Sequence, residues 1–138
     1  MTPTRRWFHW VLAVQGVYYA ATALLPVVHF EHFRILVALP ITEFQAWAFA
    51  ALAIPLGVAL AAAGFRATAT LFAVRLGAGA ALCLAVTEIV WLPRYAGRGA
   101  LWLDLPVELA FAVALGFVSL RPRPHARPEH RPPTATGG

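Results

Sequence analysis

Four long apolar runs divide the chain, at 7–28, 44–64, 69–92 and 101–120. Each is long enough to cross a membrane as a helix: at 1.5 Å per residue, a run of 22 residues reaches about 33 Å, against a hydrocarbon core of about 30 Å. None alternates apolar with polar residues as a barrel strand would, and all are rich in Ala and Leu. A backbone inside lipid must satisfy its own hydrogen bonds, so helices follow. The pattern predicts an all-α protein, an integral membrane four-helix bundle occupying residues 1–121.

The connections between the runs differ in character. Only Phe65, Arg66, Ala67 and Thr68 separate the second run from the third, which predicts a tight antiparallel pair. The link 29–43 contains Phe33, Ile35, Leu36, Val37 and Leu39, too apolar for a free loop, and predicts an interfacial or re-entrant piece. Residues 93–100, with Arg94, Gly97, Arg98 and Gly99, read as a polar turn. From 122 to 138 the chain is rich in Pro and Arg with almost nothing apolar, and is expected to be a disordered tail.

Composition sharpens this picture. Hydrophobic residues make up 60% of the 138 and charged ones 12%, about half the charge of an ordinary soluble domain. The net charge of +5 resides in tails and loops, which points to orientation and lipid headgroups and away from nucleic acid. All basic residues are Arg. If both termini lie on one side, that side receives Arg5, Arg6, Arg66, Arg75, Arg121, Arg123, Arg127 and Arg131, and the other receives Arg34, Arg94 and Arg98. The asymmetry predicts cytoplasmic termini in a multi-pass protein of a bacterial inner membrane. Trp7, Trp10, Trp47, Trp91 and Trp102 fall near run ends, as an aromatic belt would. A competing reading takes Thr4 to Phe8 as a twin-arginine export signal with cleavage near Ala21 to Ala23, but the apolar run continues past that point to Val28. The single cysteine, Cys83, sits in an apolar run and reads as a small hydrophobe. No Cys/His spacing matches a zinc site and no nucleotide-binding loop is present, so neither metal nor cofactor is expected.

The candidate chemistry is acidic and one-sided. Glu31, Glu43, Glu88, Asp104 and Glu108 all fall at the outer ends of runs or between them, with His29 and His32 nearby. Glu88 lies inside the third run, where a charge costs about 2.5–3.5 kcal/mol at the membrane centre and less towards the interface. Asp104 and Glu108 are four apart and share a helix face, where two ionised carboxylates repel unless one is protonated or a cation meets them. Arg94, Arg98, His29 and His32 are the expected partners. Cost predicts that Glu88 and Glu108 point inward, with Asp104 nearer the rim. The candidate ligand-binding cluster is thus His29, Glu31, His32, Glu88, Asp104 and Glu108; its plain alternative is a set of terminal charges reaching water. Arg75 is expected to extend towards the headgroups, too far from Glu88 along the helix to pair with it. Gln15, Tyr18, Tyr19 and Thr22 form a polar stripe on the first helix, suited to interhelical hydrogen bonds or to lining a cavity. Gly77, Ala81 and Ala85 form a small-residue ridge suited to close packing. Pro55 and Pro106 bend or start their helices.

Several of these residues carry a family resemblance. His29, Glu31 and Phe33 match a His-x-Glu-x-Phe stretch after the first helix; Thr42 to Trp47 match a polar turn leading to a Trp; Glu88 matches an acidic residue late in the third helix; Trp102, Leu103, Asp104 and Glu108 match an aromatic-Leu-Asp start with a following Glu. In this the chain resembles small bacterial four-helix membrane proteins, DoxX-like in layout, from Trp7 to about Leu120. The Thr-Gly and Lys usual in their first loop are missing here. The resemblance implies a fold and no established activity. With no nucleophile–base pair and no catalytic residue assigned, the expectation is a non-enzymatic binder of a small ligand or a membrane-complex subunit. The bilayer and a second copy or another membrane protein would be its partners. The alternatives are a proton-coupled transporter acting as an oligomer, or an enzyme acting on a lipid-like substrate.

Overall fold

The structure is a computed structural model that describes residues 3–38, 40–66, 70–94 and 101–120. Among the described residues there are five α-helices: α1 (Pro3–Val28), α2 (Phe30–Val37), α3 (Glu43–Phe65), α4 (Leu71–Trp91) and α5 (Leu101–Ser119). Four of them, α1, α3, α4 and α5, are long and apolar enough to cross a membrane. Their bounds fall within two residues of the apolar runs read from the sequence, except that α1 begins four residues earlier, at Pro3. The expected polar turn is described only as far as the 3-10 turn Leu92–Arg94. The remainder of that turn and the expected disordered tail lie outside the described residues.

α1 is the central element: 39% of its span is buried, against 11% for that of α5. Its closest partner is α3. A Cβ at Gly16 would lie 2.2 Å from the Ala61 nitrogen and 2.4 Å from the Gly57 oxygen, and one at Gly64 would lie 2.5 Å from the Ala13 nitrogen. Residue numbers rise on one helix as they fall on the other, so the pair is antiparallel, with backbone against backbone. This corrects the expectation that the short link 65–68 makes α3 and α4 the tight pair. Chain proximity only limits how far apart two helices can stand, whereas the glycines of α1 and α3 permit a contact closer than the side chains of α4 allow. α4 packs instead along α5, and its ridge of Gly77, Ala81 and Ala85 is buried. A core of Leu12, Tyr19, Leu60, Val74 and Leu115 takes at least one side chain from each long helix.

The link between α1 and α3 holds α2, none of whose residues is buried. Ile35 and Leu36 are exposed on it, beside an exposed Glu31–Arg34 ion pair, a mixed surface that suits a membrane interface. α3 then begins with a capping box: the Thr42 hydroxyl accepts from the Gln45 backbone, and the Gln45 side chain accepts from the Thr42 backbone. All five tryptophans are exposed at helix ends. Arg75 is exposed on α4 and makes no ion pair among the described residues. α1 runs unbroken through Ala21 to Ala23, with Ala23 fully buried.

Candidate functional site

The polar stripe of α1 organises the site. Gln15, fully buried, donates from Nε2 to the Gly77 carbonyl of α4 at 2.9 Å and to the Tyr19 hydroxyl at 3.1 Å. Gly77 admits this amide, because a Cβ there would lie 2.7 Å from Gln15 Oε1. The Tyr19 hydroxyl donates to Glu108 Oε2 at 2.7 Å, and the Tyr18 hydroxyl donates to Asp104 Oδ1. Thr22 turns back on its own helix, donating to the Tyr18 carbonyl at 2.8 Å. Steps of three and four residues put these groups on one side of α1, where α5 presents Asp104 and Glu108 at the same spacing.

The carboxyls are buried as the cost argument requires. Glu108 is 1% exposed and Glu88 8%, while Asp104 is half-buried. The Glu88 carboxyl, coming from α4, faces those of Asp104 and Glu108. Its Oε2 is enclosed and accepts no hydrogen bond, and neither does Gln15 Oε1.

The six residues singled out from the sequence divide into two groups. Glu88, Asp104 and Glu108 meet between α4, α5 and α1. His29, Glu31 and His32 are exposed around α2, with the two imidazoles 5.5 Å apart and Glu31 joined to Arg34 at 2.9 Å. Among the described residues no hydrogen bond or ion pair connects the groups. The expected neutralisation by Arg94 and the histidines is therefore corrected: Arg94 donates to the Val90 carbonyl at 3.0 Å and lies over the Trp91 ring, while tyrosines of α1 meet the carboxyls. Arg98 lies outside the described residues. Arg94 follows the last residue of α4, and its side chain turns back onto that helix, whereas the tyrosines lie level with the carboxyls. The sequence reading also passed over His9, buried on α1 where that helix meets Gly64. Its position four residues before Ala13, on the packed face, was the available signal.

A cleft of about 300 Å³ opens over this polar floor. Tyr18, Tyr19, Thr22, Asp104 and Glu108 form its base. Phe49, Leu52, Ala53 and Leu56 of α3 make one wall, and Ala80, Cys83 and Leu84 of α4 the other. Because α3 packs on α1 and α4 on α5, the two walls stand apart. Leu52 is 76% exposed and Cys83 is exposed, so the cleft opens sideways, towards what would be lipid. Its size is at the lower end of small-molecule pockets, which run from about 300 to 1,000 Å³. The arrangement can hold a polar head on hydroxyls and carboxyls while an apolar tail lies between α3 and α4. No protein-family profile matches the chain, and neither do any curated proteins or solved structures.

Proposed function

We propose that this chain is a four-helix bundle of a bacterial inner membrane, with both termini in the cytoplasm, that binds a small amphipathic ligand without transforming it. The observation that carries this reading is the cleft between α3 and α4: an apolar slot open to the side, over a floor of two tyrosines and two carboxyls. A site for a water-soluble ligand would open at a membrane face instead. The resemblance to DoxX-like proteins agrees with the layout and adds no activity. The polar chain from Glu108 through Tyr19 to Gln15 stops at Leu12, Leu60 and Leu115, which weighs against a continuous proton path and so against the transporter alternative. No nucleophile stands in hydrogen-bond reach of the carboxyls among the described residues beyond the tyrosines themselves, which weighs against the enzyme.

Native mass spectrometry of the protein released gently from its membrane tests the proposal. Wild type is expected to carry a bound small molecule. Ala80→Phe fills the slot without touching a polar group, and should lose that molecule while keeping its helicity. Equal occupancy in the two proteins, or none in either, would count against the cleft as the site.

A further inference from the structure

We infer that Arg75 holds the phosphate of an anionic phospholipid, taken from the leaflet at the end of the molecule where α4 begins. Arg75 is exposed on α4, four residues after Leu71, and makes no hydrogen bond or ion pair among the described residues. Helix rise over those residues sets its Cα about 6 Å inside the span. A charge at that depth, on a face turned to lipid, needs either water or a counter-charge. Helical side chains lean towards the N-terminus of their own helix, so from this position the guanidinium reaches back to the level of the headgroups. A phosphate met there matches the planar fork of its donors.

The chain offers no counter-charge of its own at that end among the described residues. Glu31, Glu43, Glu88, Asp104 and Glu108 all belong to the opposite end, and Arg66, also exposed, adds a second positive charge at this one. A second copy lying parallel would bring the same carboxylates to the wrong end. A zwitterionic headgroup carries a cation of its own towards the two arginines, whereas an anionic one brings none. The surface below Arg75 fits the rest of such a lipid. Phe72, Arg75, Gly79, Leu82 and Val86 follow steps of three and four residues, so they share one face of α4, and all are exposed. A Cβ at Gly79 would meet nothing within 4 Å, so an open strip begins one turn below the guanidinium. Dispersion contact along that strip suits an acyl chain, which free phosphate lacks.

Native mass spectrometry of the full chain, ejected from nanodiscs of equimolar dioleoylphosphatidylglycerol and dioleoylphosphatidylcholine, tests the inference. The lipid that wild type retains longest should be mainly phosphatidylglycerol. Arg75→Gln should lower the ratio of retained phosphatidylglycerol to phosphatidylcholine about fivefold, the worth of one arginine at a charged surface. Arg94→Gln removes an exposed arginine at the opposite end and should leave the ratio unchanged. Every variant carries the same arginines in the segment 121–138, so their attraction cancels in the comparison. Because Arg75 is exposed, circular dichroism should find the helices of Arg75→Gln intact. Equal retention of the two lipids by wild type, or an unchanged ratio in Arg75→Gln, would overturn the inference. An equal fall in Arg94→Gln would overturn it as well, leaving only a general attraction to net charge. So would a dimer present in wild type and lost in Arg75→Gln, which would give the arginine to a partner chain.

Discussion

Tyr19 has the most connected side chain at the site. Its hydroxyl accepts from Gln15 and donates to Glu108, so it joins the α1 stripe to α5 inside the buried core. Tyr19→Phe keeps the ring and its packing but leaves a buried carboxyl oxygen and an amide hydrogen without partners, which should cost about 1–3 kcal/mol. Tyr18→Phe should cost less, because Tyr18 and Asp104 are only half-buried. Urea or thermal unfolding in detergent, followed by circular dichroism, checks the order; equal melting of both variants and wild type would mean the hydroxyls carry no net stability. Glu88 and Glu108 should likewise differ. Glu108→Leu breaks a 2.7 Å bond and should fall in the same range as Tyr19→Phe, whereas Glu88→Gln replaces an unsatisfied acceptor with a group that can also donate and should be neutral or stabilising. The reason these partners were half legible lies in what sequence spacing reports. Steps of three and four residues fix which groups share a face, and so the stripe of Gln15, Tyr18 and Tyr19 and the pair Asp104 and Glu108 could be read directly. They do not say which faces meet. The nearest cations in sequence, Arg94 and Arg98, looked like the natural partners, and the opposing tyrosines were assigned to no carboxyl.

Between elements, the decisive quantity is how closely two backbones approach. Ala13, Gly16 and Ala20 on α1 face Gly64, Ala61 and Gly57 on α3, and the helices interlock where the glycines lack side chains. Gly16→Val would place side-chain carbon where the Ala61 and Gly57 backbones already lie, so α1 and α3 must separate. In a membrane, helix pairs gain their association from this packing, since lipid tails are as apolar as Leu. The variant should fail to reach a folded, monodisperse state. Gly79→Ala and Gly116→Ala meet nothing within 4 Å and should be neutral or gain about 0.5–1 kcal/mol from helix propensity. Size-exclusion profiles and melting curves of the three variants would decide it, and a well-folded Gly16→Val would mean the interface is looser than the backbone contacts require. All four long helices were legible from apolar runs; the apolar residues of the link 29–43 marked it as more than a free loop but did not identify α2 as a fifth helix. The pairing of the long helices was not legible, because run length and loop length carry no information about which small residues face each other. The ridge of Gly77, Ala81 and Ala85 drew notice, while an equivalent one on α1 and α3 was spread among larger neighbours.

At the scale of the whole molecule, the open question with most consequence is which leaflet the cleft faces. The helices alternate in direction, so the start of α1 and the end of α5 share one end with Arg66, and α2 lies at the other. The carboxyls sit in the half nearer α2: Glu88 is three residues from the end of α4, and Asp104 is three from the start of α5. Lateral access would therefore draw ligand from whichever leaflet α2 touches. In the proposed topology the Arg asymmetry argues for α2 outside, because translocating eight arginines rather than three is the costlier arrangement. Replacing Cys83 with Ala gives a background free of thiols, into which one cysteine at a time can be introduced. Glu31→Cys and Arg66→Cys are both exposed positions outside the spans. A membrane-impermeant maleimide added to intact spheroplasts should modify Glu31→Cys at once and reach Arg66→Cys only after permeabilisation. The opposite result would invert the protein, put the carboxyls in the cytoplasmic half, and turn an outer-leaflet binder into one fed from within the cell.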